Sequence, residues 1–290
     1  MMALLSKLEY QNNTKEFRLE EPFDFLIYRP LAYLIVKLTY KMPLNPNHYS
    51  FVALIWALVG SYFIAQGEKL DFAIGGVCII LFSVFDCCDG MIARMKKNGS
   101  KWGTQIDMFV DLISNIAIYS TLFIGLKKQN HDFPIEYFSF LCAICILIHA
   151  SIYHYYKKQF QHYSSGNPDG RIRELNAWRR EYDQLKKQKG QYFEKFLLFM
   201  FLKFSNAQKS DDSVPLYDAE KYTKVNISIL PLWAFVAGSS HLTFLSLALM
   251  LNEMPIYLYF ALVVSNLWLL LVYFIQSNVN SSILLKEKVL

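Results

Sequence analysis

Uncharged apolar windows of about 20 residues alternate along this chain with short polar turns, and a window of that length crosses a hydrocarbon core of about 30 Å as a helix. The pattern predicts six spans, at roughly 47–66, 70–94, 104–126, 134–156, 225–250 and 255–276. An even number of spans places both termini on one side. Residues 23–42, FDFLIYRPLAYLIVKLTYKM, are apolar and aromatic but carry Arg29 and Lys37, and Pro30 interrupts the run. One charged face with modest net hydrophobicity predicts an interfacial helix rather than a seventh span. The stretch MPLNPNHYS then punctuates the chain, and its asparagines suit a cap for a first span beginning near Asn47. The expected fold class is an all-α integral membrane protein: six transmembrane helices, a preceding interfacial amphipathic helix and a helical cytoplasmic insertion.

The insertion is residues 157–224. SSGNPDG reads as a turn-rich linker, RIRELNAWRREYDQLKKQKG as a solvated or coiled helix, and QYFEKFLLFMFLKFSNA as an interfacial helix or a lid on the spans, its apolar run being too short to cross. The expected division is an N-terminal cytoplasmic segment 1–22, a membrane domain 23–276 that contains the insertion, and a cytoplasmic tail 277–290. Met1 to Leu8 is too short for the apolar region of a signal peptide.

Charge supplies the orientation. Arg94, Lys96, Lys97 and Lys101 flank the turn between spans two and three, whereas the opposite turns hold Lys69, Lys127 and Lys128. The first set is expected to face the cytoplasm, with both termini and the insertion. The insertion has 14 Lys or Arg against 9 Asp or Glu, and Lys286 and Lys288 add to that side. The net charge of +5 therefore points to anionic lipid headgroups, and no nucleic-acid partner is expected. All five cysteines fall inside spans, so Cys142-x-x-Cys145 reads as packing rather than a redox motif.

Four acids break the apolar pattern: Asp86, Asp89, Asp107 and Asp111. On a helix Asp86, Asp89 and Gly90 share a face with Ala93 and Arg94 one turn on, and Asp107 and Asp111 are i and i+4 on the next span. The intervening turn, with Gly99, Ser100 and Gly103, is short enough to make the two helices antiparallel neighbours. Close buried carboxylates cost several kcal/mol each unless compensated, so a cation belongs between them. A hard divalent ion with oxygen ligands fits, and four carboxylates suit a pair that clamps a pyrophosphate. Arg94 suits a phosphate one turn away, and Gly90 lets a ligand approach the helix backbone.

Asp86-x-x-Asp89-Gly90-x-x-Ala93-Arg94, eight residues, then Gly103-x-x-x-Asp107-x-x-x-Asp111 resembles the signature of the CDP-alcohol phosphotransferases. The resemblance extends over roughly residues 23–276, and the long insertion departs from compact members. It implies transfer of a substituted phosphoryl group from a CDP-linked alcohol to a second alcohol, with release of CMP. It further implies two Mg²⁺ or Mn²⁺ ions bridged by Asp86 and Asp107, with Asp89 on one and Asp111 on the other, and Asp111 as general base. Gly90, Arg94 and Ser100 match positions that contact the CDP moiety, with Ala93 and Gly103 as further signature positions on that side. Asn47 to Ser50 matches a segment Pro-Asn-x-x-Thr near the nucleotide, Ser50 replacing the threonine. A homodimer is implied by the resemblance alone.

The competing class is a cation transporter using intramembrane acids, which explains the aspartates but not Gly90, Ala93, Arg94 and Gly103. His149, His154 and His241 read as packing or interfacial residues, since none has a second histidine at i+3 or i+4 on its face. HASIYHYYKKQF reads first as an aromatic interface belt and second as the rim of an acceptor pocket. From Val225 to Leu285 there is no Lys or Arg. A dianionic acceptor needs fixed cations, so an unphosphorylated hydroxyl is expected: diacylglycerol, serine or inositol rather than a polyol phosphate.

Overall fold

The structure is a computed structural model and describes residues 20–99, 101–129, 134–207 and 217–284. Ser100, the first 19 residues of the N-terminal segment, part of the insertion (208–216) and the end of the tail with Lys286 and Lys288 lie outside the described residues. Among those described the chain is helical, without strands, and six segments are long and apolar enough to cross a membrane. The protein is an integral multi-pass membrane protein.

A π-helical turn at Asp24–Tyr28 leads into α1 (Arg29–Thr39). Pro30 does not interrupt this path, because it sits in the first turn of α1 where its missing N–H is no loss. Tyr28, Ala32, Tyr33 and Val36 are buried against Val84, Cys88 and Met91. Arg29 is buried too, paired with Glu20 at 3.1 Å, so its charge faces protein rather than forming the expected solvated face.

Helix α2 (Pro46–Ile64) starts one residue earlier than expected, and its cap is Asn45, whose N–H donates to His48 Nδ1 at 3.0 Å. Asn47 is exposed in the first turn. Helix α3 (Lys69–Lys96) has 28 residues, about 42 Å, and ends where Lys97 turns left-handed at φ 51°. Helix α4 (Gly103–Lys128) follows after the turn, and α3 and α4 each pack closely on α2 rather than on one another, the arrangement expected from the sequence. A Cβ on Gly125 of α4 would lie 2.1 Å from the Ile64 carbonyl oxygen, which requires glycine at this crossing.

Helix α5 (Phe138–Ser164) continues two turns beyond the expected boundary at 156, so the insertion begins as a projecting end of this span. It then forms α6 (Gly170–Lys187) and α7 (Tyr192–Ala207), a hairpin whose Leu185, Leu198, Phe201 and Leu202 pack with Trp102 and Met108 of the span region.

The expected continuous span 225–250 is two helices, α8 (Ala219–Ala234) and α9 (Gly238–Leu251). Pro231 removes an intrahelical N–H and obstructs the preceding turn, and the chain leaves the helix three residues later. The halves have different neighbours, α8 packing on α5 and the last span, and α9 on α3. The last span also bends: α10 (Met254–Tyr259), a π-helical stretch at Phe260–Val264, and α11 (Ser265–Ile283). Residues 277–283, expected in the tail, are the end of α11. Between α8 and α11, Trp233 Nε1 donates to Gln276 Oε1 at 3.0 Å and Gln276 Nε2 donates to Asn226 Oδ1 at 2.7 Å, satisfying polar groups that lipid could not.

Candidate active site

Helical spacing places Asp86 and Asp89 one turn apart on α3, and the short turn after Lys97 returns the chain so that Asp107 on α4 meets them. One carboxylate oxygen from each of Asp86, Asp89 and Asp107 lies within 4.8 Å of the others. Asp111, one turn further along α4, lines the same cavity as Asp86 and Asp107. Asp86 Oδ1 is buried without a hydrogen-bond partner. Three converging carboxylate oxygens, with an orphaned Oδ1 on Asp86, make a donor set suited to a hard divalent cation.

The other expected site residues take distinct places. Ser50 on α2 is buried and donates to Asp89 Oδ2 at 2.5 Å, so its hydroxyl holds a carboxylate of the cluster. Gly90 has an open flank: a Cβ there would meet only the Arg94 guanidinium, 3.5 Å away. Ala93 and Arg94 follow one turn on, half-buried, and Gly103 is the first residue of α4. Asn47 is exposed at the start of α2, two positions from the Asn45 cap.

The cavity beside the cluster has a volume of about 290 Å³. Its walls are apolar where Phe82, Leu112 and Ile146 contribute and polar around the acids. Several lining residues carry no signature. Glu21 and Asp24 come from the segment before α1, His154 and Lys158 from α5, and Arg171 and Glu174 from α6. His154 and Lys158 bring the HASIYHYYKKQF stretch to the cavity wall. Lys158 pairs with Glu174 at 3.4 Å, and the Arg171 guanidinium lies 4.4 Å from the centre of the Tyr155 ring. Burial, with Glu21 as the next cause, pushes the Asp24 carboxyl up to about 8, against the opposing pull of Arg29.

The break in the fifth span also reaches the cavity. Gly238 and Ser239 open α9 there, and the Ser239 N–H donates to Glu21 Oε2 at 2.6 Å, a carboxylate at the positive end of a helix. Asn115, one turn after Asp111, donates its amide to the Asp111 carbonyl at 2.8 Å and keeps a buried Oδ1 without a partner. Sequence reasoning missed Glu21, Asp24 and Asn115. The acids of LEEPFDF beside an aromatic run were the available signal for the first two.

His149 and His241 do not line this cavity. They hydrogen-bond one another, Nδ1 to Nε2 at 2.9 Å, within the packed helices, a pairing across 92 positions. The five cysteines are free, four of them buried and Cys145 half-buried.

Comparison with known proteins agrees with the signature. Residues 44–168 match the family model described as CDP-alcohol phosphatidyltransferase. Relatives include a phosphatidylinositol phosphate synthase of Mycobacterium tuberculosis, 25% identical over 36% of this chain and 47% of that protein. Another phosphatidylinositol phosphate synthase, of Corynebacterium glutamicum, is 30% identical over 30% of this chain and 39% of its own length. A bifunctional IPC transferase and DIPP synthase of Rubrobacter xylanophilus is 31% identical over 29% of this chain and 18% of that protein. The chain thus spans less than half the length of the curated relatives it matches. With all eight fixed signature positions inside the matched segment, residues 44–168 form a CDP-alcohol phosphatidyltransferase domain.

Proposed function

We propose that this protein is a phospholipid-biosynthetic transferase that moves a substituted phosphoryl group from a CDP-linked alcohol to the hydroxyl of an acceptor, releasing CMP. The observation that carries this reading is the convergence of Asp86, Asp89 and Asp107 on one point, with Asp111 in the same cavity. Asp86, Asp89, Asp107 and Asp111 would hold two Mg²⁺ or Mn²⁺ ions, which when bound would neutralise the pyrophosphate and stabilise the leaving phosphate. Ser50 keeps Asp89 oriented toward that centre. Gly90, Ala93, Arg94, Ser100 and Gly103 take the CDP moiety, Arg94 by its fixed charge and Gly90 by leaving space. Asp111 accepts the proton of the acceptor hydroxyl as its oxygen bonds to the phosphorus nearer the alcohol, and the phosphorus–oxygen bond to CMP breaks.

The domain in this reading runs over residues 23–276, with the insertion closing one side of the site. The cluster, the insertion and both termini face the cytoplasm, a placement supported by the basic turn after Arg94. The working unit is a homodimer, by resemblance to the family.

For the acceptor, an unphosphorylated hydroxyl remains the first reading, because Glu21, Asp24 and Glu174 line the cavity and Lys158 is engaged by Glu174. A polyol phosphate is the second. Lys158 and Arg171 bring to the cavity the cations that Val225 to Leu285 lacks, and two relatives are named for a phosphatidylinositol phosphate product. The test is a matrix of CDP-alcohol donors against acceptors with purified protein and Mg²⁺, measuring CMP and identifying lipids by mass spectrometry. Metal-ion flux without CMP would overturn the enzymatic reading. Turnover only with a polyol phosphate, abolished by Arg171→Gln, would establish the second acceptor reading over the first.

A further inference from the structure

Helix α7 of the insertion has two apolar faces. Leu197, Leu198, Phe201 and Leu202 form the inner one, at most 6% exposed, and Met200, Phe201 and Ser205 reach the cavity wall. On the other side Tyr192, Phe196 and Phe199 recur at helical spacing with Phe193 beside them, 80%, 46%, 44% and 54% exposed. Such an aromatic stripe on a soluble surface has no compensation for its hydration cost.

Three observations identify what covers it. First, the stripe is continuous with a membrane span: Phe109 of α4 meets Phe193 at 6.0 Å and Phe196 at 5.7 Å between ring centres, both edge to face. Phe109 lies six residues into α4, about 9 Å along its axis, which is the depth of the boundary between headgroups and acyl chains. Second, the stripe is bordered by cations that fold back over their own rings. Lys195 Nζ is 5.5 Å from the Tyr192 ring centre and Lys203 Nζ is 5.8 Å from that of Phe199. Lysines beside aromatic rings place apolar stems in the interface and ammonium groups among lipid phosphates. Third, Tyr192 is of the type enriched at headgroup depth, and phenylalanines such as Phe193, Phe196 and Phe199 form the apolar face of helices that lie in the interface.

We infer that α7 is seated on the bilayer surface through Tyr192, Phe193, Phe196 and Phe199, and that this seating holds down the roof of the cavity. The lipid is a structural partner of the lid. Leaving the bilayer exposes the stripe and loosens the wall formed by Met200, Phe201 and Ser205. The inference rests on the membrane-spanning fold and stands apart from the reaction proposed above.

The test uses the full chain in nanodiscs of phosphatidylcholine and phosphatidylglycerol, with the photo-crosslinker p-benzoylphenylalanine replacing Phe196. Leu270 on α11, 63% exposed, is the positive control in a span. Lipid adducts detected by mass at both positions are the expected result. Adducts at Leu270 alone, or crosslinking of position 196 to a second copy of the chain, would overturn the assignment. A second measurement addresses the roof. Combined Phe193→Ser, Phe196→Ser and Phe199→Ser substitution is expected to make Lys203 in nanodiscs as open to trypsin as in the detergent-solubilised parent. Unchanged protection would show that protein packing alone holds the lid.

Discussion

Replacing Ser50 by alanine removes one hydroxyl and tests how the acidic cluster is held. Ser50 belongs to α2, Asp89 to α3, and their 2.5 Å hydrogen bond crosses 39 positions of chain to fix one carboxylate of the cluster. A hydrogen bond to a charged group contributes about 1.5–3 kcal/mol. At about 1.4 kcal/mol per decade this is roughly a 10–100-fold loss of divalent-metal affinity, the range found when a partner outside the ligand set is removed. The packing cost is small, since only Oγ is lost and its contact to the Pro46 carbonyl is long at 3.5 Å. Mn²⁺ binding to the purified chain, followed by the resonance of the free ion, should show this weakening in Ser50→Ala, while the melting temperature moves by a few degrees at most. Ser50→Thr should restore affinity because it restores the donor. CMP release titrated with metal should shift by the same factor. An unchanged half-saturation in Ser50→Ala, with binding lost in Asp89→Asn, would refute the idea that the serine orients the carboxylate.

Four further outcomes are expected. Asp111→Asn should lose turnover with nucleotide binding largely kept, whereas Asp86→Asn should weaken metal and CDP binding together; equal complete loss of CDP binding in both would show that the roles are wrongly divided. Gly125→Ala should lower stability by about 1–3 kcal/mol or abolish folding, because its Cβ meets the Ile64 carbonyl oxygen at 2.1 Å; an unaltered thermal transition in detergent would contradict the close crossing. Gln276→Ala should cost about 1–2 kcal/mol by stranding Trp233 Nε1 and Asn226 Oδ1, read as a lowered melting temperature that Gln276→Glu only partly recovers. Asp24, raised from 3.8 to about 8, stabilises the fold in its neutral form, so metal-free protein should lose stability as pH rises through that window. Asp24→Asn should flatten that slope, and an identical slope in both proteins would remove Asp24 as its cause.

The site was legible in the sequence where local periodicity carries chemistry. Asp86, Asp89, Asp107 and Asp111 announce themselves because acids at helical spacing in apolar runs need compensation, and one short turn puts both pairs at the same end of their spans. Residues brought in over long distances were not legible. Nothing local ties Glu21 or Arg171 to a cluster on α3 and α4, and Glu21 finds its partner at the distant start of α9. The break between α8 and α9 had its signal in Pro231 and Gly238, but the strong apolar character of the window favoured one uninterrupted span. Helical periodicity also hid the buried state of Arg29, since a charge on an amphipathic stretch reads as solvated until its partner Glu20 is seen.

The ends of the insertion meet. Tyr217, the first described residue after 208–216, donates its backbone N–H to the Tyr163 hydroxyl at 3.2 Å, and Tyr222 stacks on both rings, at 4.3 Å from Tyr163 and 5.2 Å from Tyr217 between centres. The chain therefore departs from the membrane core and returns to it at one spot, so the intervening residues form a loop closed at its neck. In evolutionary and engineering terms this is a graft site: a short linker from Tyr163 to Tyr217 can replace the whole excursion while α5 and α8 keep their packing. Such a shortened chain would keep the tyrosine closure at the neck and lose the part of the cavity wall that Arg171, Glu174, Met200 and Phe201 supply.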